Sequence, residues 1–186
     1  MFNIGLPLRV LALVALAGAS LSSHESALHG PVPRIRFADP VIAALMARGT
    51  SESRTFRTLV DRLAASDVFV YVERRRQSGR ATGFTQFISS TPQGRYLRIV
   101  LDADMAKDGV VALLGHELRH ALEVADAPAV VDQDTYGALY RAIGTPSCGP
   151  PRWCFDTRAA VSAGRRVFLE VRAAGRALRD SAAAEE

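Results

Sequence analysis

Lysine is almost absent from this chain: Lys107 stands alone against twenty-two arginines. The net charge of +4 is therefore carried by arginine, in a sequence that is also rich in alanine. That pattern fits compositional bias as well as selection for phosphate binding. The arginines are dispersed, only Arg74-Arg75-Arg76 forms a run, and no aromatic residues interleave with a basic stripe. A nucleic-acid partner is not expected from such a distribution. Cysteine is scarce too, with Cys148 and Cys154 alone. Their C-x5-C spacing is not a usual zinc-ligand spacing, and there is no redox C-x-x-C. Long apolar runs are missing beyond the N-terminus, so nothing downstream approaches transmembrane length.

The one apolar run, Leu6 to Ala19, is short, contains Arg9 and has no acid. Ala17-Gly18-Ala19 has the small-x-small pattern of a signal peptidase site. The expectation is a signal peptide over residues 1–19, a protein exported to the periplasm or the cell exterior, and no membrane span after cleavage. In that compartment Cys148 and Cys154 are expected to form a disulfide. Closing so short a loop contributes about 2 kcal/mol.

Histidine is rare, with four in the chain, yet two fall in one pentapeptide, His116-Glu117-Leu118-Arg119-His120. It reads H-E-x-x-H inside an apolar helix-forming run, Val110 to Ala125. Residues four apart on a helix lie one above the other. Two imidazoles so placed can bind a single zinc ion, and Glu117 is rotated to where it can act on zinc-bound water without being a ligand. With about 100° per residue and His116 at zero, His120 falls near 40° and Glu123 near −20°. Val111, Leu114, Leu118, Ala121, Leu122 and Ala125 fall on the opposite side. The spacing predicts one apolar face for a core and one polar face carrying both histidines.

Along the chain, residues 20–34 hold Pro31 and Pro33 and read as a flexible lead-in. Pro40 to Arg48 has helical spacing and is expected to end before Gly49. Ser51 to Ala65 follows as a helix capped by Ser51. Val68–Val72, Ala81–Ser89 and Arg95–Leu101 read as three consecutive strands in an antiparallel meander. The third leads into the histidine helix, with Asp104 as its N-cap and Pro128 near its end. Asp134 to Ile143 is a short helix closed by Gly144. Thr145 to Phe155 reads as a loop, Asp156 to Asp180 as a long final helix, and 181–186 as a frayed tail.

The motif Gly115 to His120 and the element order around it resemble the zincin metallopeptidase fold over roughly Ser51 to Asp180. The longer string HELRHALEVAD resembles a set of small, exported, uncharacterised bacterial H-E-x-x-H proteins. The resemblance implies an α+β, zincin-like domain over 35–180, with a small antiparallel sheet of about three strands packed on the active-site helix. Two departures turn it away from the metzincin branch. Glu123 stands where that branch has glycine, and no methionine follows the helix to supply a Met-turn. The gluzincin-like branch instead takes its third ligand from a carboxylate on a later helix. Asp156-Thr157-Arg158-Ala159 and Glu170-Val171-Arg172-Ala173 both fit. They lie about 21 Å apart on a straight helix, so one ion cannot take both. Asp156 is preferred, because the cysteine loop would hold it, with helix N-cap as its ordinary alternative. Glu170, Glu123 and Asp126 remain the other candidates. Glu123 is too far along the helix to converge with both histidines and suits a role holding a histidine or an arginine.

The implied activity is zinc-dependent peptide hydrolysis on a peptide or protein substrate, with one zinc held by His116, His120 and Asp156. Glu117 would take a proton from water and deliver it to the leaving amine. Tyr136, Tyr140 and Arg119 are the nearest candidates for an oxyanion donor, and the third strand for pairing with an extended substrate. The other reading is a zinc-binding, non-hydrolytic module that binds a partner.

Overall fold

Segments rich in β-branched and aromatic residues build a mixed four-stranded sheet, in a computed structural model that describes residues 33–76, 82–102, 107–148 and 154–184. Its strands are β1 (Ile35–Arg36), β2 (Val68–Arg75), β3 (Gly83–Thr91) and β4 (Gly94–Asp102), in the order β1-β2-β4-β3. β1 runs parallel to β2 and β2 parallel to β4, while β3 pairs antiparallel with β4. The antiparallel meander of three strands is therefore corrected. β3 and β4 do form a hairpin, but β4 inserts between β2 and β3. Their side chains explain the placement. In β4, Leu97, Ile99 and Leu101 face the core and Val100 is buried on the other face, as suits an interior strand. β3 buries only Phe87 and leaves Phe84, Gln86 and Ile88 exposed, as suits an edge.

Five helices complete the α+β fold: α1 (Pro40–Glu52), α2 (Arg54–Ala64), α3 (Lys107–Ala125), α4 (Gln133–Ile143) and α5 (Arg158–Ala184). α1 starts at Asp39, whose side chain accepts from Val41 N, and continues through a buried Gly49 instead of ending before it. The cap of α2 is Ser53, not Ser51: its Oγ accepts from Phe56 N. α4 begins one residue earlier than expected, under a capping box formed by Asp132 and Thr135. The expected loop from Thr145 to Phe155 holds a small antiparallel pair, β5 (Thr145–Cys148) and β6 (Cys154–Asp156). α5 starts after Thr157 and runs to Ala184, so residues 181–184 are helical, not a frayed tail. Residues 1–32 and the Asp104 cap lie outside the described residues. Among the described residues no helix is long and apolar enough to cross a membrane.

α3 is the centre of the fold. It packs on β2, β3 and β4 on one side and on α1, α2 and α5 on others. Leu114, Leu118 and Ala121 are fully buried with Ile42, Phe56 and Leu63. Much of the polar side is withdrawn from solvent too: Glu117, His120 and Glu123 are buried, while His116 and Arg119 stay partly exposed. A buried polar face must find partners, because an unpaired buried polar group costs about 1–3 kcal/mol. The C-terminus of α3 is anchored by Arg95 of β4. Its guanidinium donates to the carbonyls of Val124, Ala125 and Ala127 and forms a bidentate pair with Asp67. This satisfies orphan helix-end carbonyls and fixes α3 over the sheet.

Glu170 of α5 has a structural task. It accepts hydrogen bonds from Ser53 Oγ (2.5 Å), Thr55 N (2.9 Å) and Thr55 Oγ1 (2.8 Å) at the start of α2. Burial opposes its ionisation, but these donors outweigh burial and hold the carboxyl below its ordinary value. A depressed folded-state pKa contributes stability above the unfolded value, lost as pH falls through the folded one. Glu170→Ala is expected to cost about 1–2 kcal/mol near neutral pH. In urea titrations the gap from the parent should narrow between about pH 6 and about pH 3. A gap that stays constant over that range would remove the charged cap.

Candidate metal centre

His116 and His120 stand one turn apart on α3, their rings edge to face with centroids 4.8 Å apart. Asp156, at the end of β6, meets both. Its Oδ1 lies 3.4 Å from His116 Nε2 and 3.7 Å from His120 Nε2. One ligand atom from each of the three residues lies within 4.8 Å of the others. Tetrahedral zinc with bonds of about 2.0–2.1 Å separates its ligand atoms by about 3.4 Å. Two imidazole nitrogens and one carboxylate oxygen at this spacing fit a borderline divalent cation and disfavour calcium or magnesium.

Asp156 reaches the histidines because it does not cap α5. Thr157 has that role, with its Oγ1 accepting from Ala160 N at 3.0 Å. Glu123 locks the arrangement. Its Oε2 is 2.9 Å from His120 Nδ1 and its Oε1 accepts from Thr157 Oγ1 at 2.6 Å. One buried carboxylate thus orients a histidine and holds the residue next to Asp156, as outer partners of metal ligands do. The three donors that converge are those of His116, His120 and Asp156, and Glu123 is not among them. Glu123→Ala is expected to weaken zinc binding about 10–100-fold, measured by competition with a chromophoric chelator. Unchanged affinity would remove this positioning role.

The close approach of α5 to α3 depends on glycine. A Cβ on Gly164 would lie 3.1 Å from His116 Cβ and 3.2 Å from Ala112 O, and one on Gly115 would lie 2.8 Å from Val167 Cγ2. Any larger residue at 164 displaces His116 or α5.

Electrostatics fit a cation site. Burial opposes protonation of His120, but the carboxylates of Asp156 and Glu123 facing its two ring nitrogens outweigh it and push its pKa up to about 9. Burial and the neighbouring His120 charge hold His116 below its ordinary value. The His120 ring facing it, opposed by burial and aided by His116, holds Asp156 below its own. The site has acceptors enough for one positive charge.

Glu117 sits beside these groups, 3% exposed. Burial pushes its pKa up to about 7, and its Oε2 accepts from Thr85 Oγ1 of β3 at 2.7 Å. Tyr136 of α4 donates to Thr85 O at 2.8 Å, and Tyr140 donates to His120 O at 3.0 Å. Arg119 lies 3.8 Å from Glu123 and 3.5 Å from Asp126. Each of the three candidate oxyanion donors therefore already has a protein partner. The third predicted strand, β4, has neighbours on both sides, so it cannot pair with a substrate. The edge beside Glu117 is β3.

The remaining candidate ligands are placed elsewhere. Asp126 pairs with Arg62 at 2.7 Å, and Glu170 caps α2. Thr85 and Thr157 are site residues that the sequence reading missed. Thr157 had a local signal, since threonine is also a favoured N-cap residue. Thr85 had none, because its partner is 32 residues away. Cys148 and Cys154 are direct Cα partners across β5 and β6. A cavity of about 340 Å³ opens at Asp156, lined also by Thr145, Arg158 and Val161. No family model matches the chain, and neither a curated protein nor a solved structure does.

Proposed function

We propose that this chain is an exported, zincin-like zinc metallopeptidase of the gluzincin kind, with one ion held by His116, His120 and Asp156. The observation that carries the reading is Asp156 Oδ1 lying 3.4 Å and 3.7 Å from the two imidazole nitrogens, with a second, buried acid, Glu117, beside them. A purely structural site needs no such acid. When bound, zinc supplies a positive charge that acidifies water and polarises a carbonyl. The chain's own residues do the rest. Glu117, buried and near pKa 7, takes a proton at its carboxylate and passes it to the leaving amine. Thr85 Oγ1 orients that carboxylate toward β3. An extended peptide would lie along the β3 edge, the strand nearest Glu117. Export brings an oxidising compartment, and the register of β5 and β6 suits a Cys148–Cys154 bridge that steadies the strand carrying Asp156.

The burial of Glu117 supports a second reading, a zinc-holding module that binds a partner and does not hydrolyse it. Incubating the zinc-loaded chain with a mixed peptide library, followed by mass spectrometry, separates the two. New peptide termini that disappear in Glu117→Gln support the peptidase. Intact peptides with stoichiometric zinc support the module.

A further inference from the structure

Arginines that are far apart in the sequence line one groove. Arg54 and Arg62 of α2, Arg119 of α3, and Arg158 and Arg166 of α5 surround a cavity of about 600 Å³, with Ser162 between the last two. Gathering this much positive charge on one wall is unfavourable unless something anionic answers it. The protein's own acids answer only part of it. Asp126 lies 2.7 Å from Arg62 and 3.5 Å from Arg119. Glu170 feels Arg166, but both its oxygens are already bound by Ser53 and Thr55. Among the described residues, Arg54 and Arg158 make no side-chain hydrogen bond or ion pair. No aromatic ring lines the groove, so nothing there stacks a nucleic-acid base. Arg158 also lines the smaller cavity that opens at Asp156, so the groove leads toward the metal centre.

We propose that this groove binds a short acidic peptide segment, its carboxylates received by Arg54, Arg158 and the neighbouring guanidinium groups. Guanidinium matches carboxylate with paired, charge-assisted hydrogen bonds. This deepens the peptidase reading and rests on it for one consequence, a preference for substrates with acidic residues near the cleaved bond.

The test is fluorescence anisotropy of a labelled hexaglutamate peptide with the full chain. The double variant Arg54→Ala/Arg158→Ala is expected to raise Kd at least about ten-fold. The double variant Arg176→Ala/Arg179→Ala makes the same charge change on the exposed end of α5, and should leave Kd within about two-fold. Equal weakening by both pairs overturns the groove as a site. So does tighter binding of tripolyphosphate or of a single-stranded oligonucleotide than of hexaglutamate. Hexaglutamate binding that persists in Asp156→Asn, with zinc lost, upholds the groove independently of the metal centre. Zinc bound normally with no hexaglutamate affinity overturns the groove and leaves the metal centre standing.

Discussion

Asp156→Asn is expected to weaken zinc binding by at least about 100-fold while leaving the fold intact. The carboxylate is one of three converging donors, and even outer partners of such ligands are worth 10–100-fold in affinity. Asn keeps the shape and the possible hydrogen bond from Thr157 N, but loses the charge that faces both imidazoles. Asp156 is 34% exposed at the side chain, so removing its charge should cost little in folding. Far-ultraviolet circular dichroism and a urea titration without metal check that part. A competition titration with a chromophoric chelator checks the affinity. Parent-like zinc affinity in a folded Asp156→Asn chain would exclude Asp156 as a ligand.

Glu117→Gln carries the second large effect. A positioned general base contributes about 10²–10⁴ in rate, so peptide turnover should fall by that factor with zinc content unchanged. Glutamine is nearly isosteric and its oxygen can still accept from Thr85 Oγ1, so the buried network survives. Loss of zinc together with activity would instead make Glu117 part of the metal cage. Unaltered turnover would require some other group to move the proton.

These two residues differ in how far they could be read from the chain. Glu117 and the two histidines were legible because the motif is local: four residues of helix fix their relation by geometry alone. Asp156 was reachable only through a resemblance, since its approach depends on β6, on the Thr157 cap and on Glu123, 34 residues before its partner Thr157. Helix periodicity gave α2 and α3 to within a few residues. It separated the polar face of α3 from the apolar one, but amphipathicity does not say whether the polar side meets water or other protein. The sheet order was illegible for the same reason. Alternation marks β2, β3 and β4 as strands, but whether β4 enters between the other two depends on long-range packing. The arginine groove is the clearest case: residues that look dispersed along the chain converge once α2, α3 and α5 pack together.

Zinc K-edge X-ray absorption on the purified, zinc-loaded chain tests the centre of this account directly. The expected spectrum has nitrogen and oxygen neighbours at about 2.0–2.1 Å, imidazole outer-shell scattering from two histidines, and no sulfur. A sulfur shell at about 2.3 Å, or an unchanged spectrum after His116→Ala/His120→Ala, would contradict it.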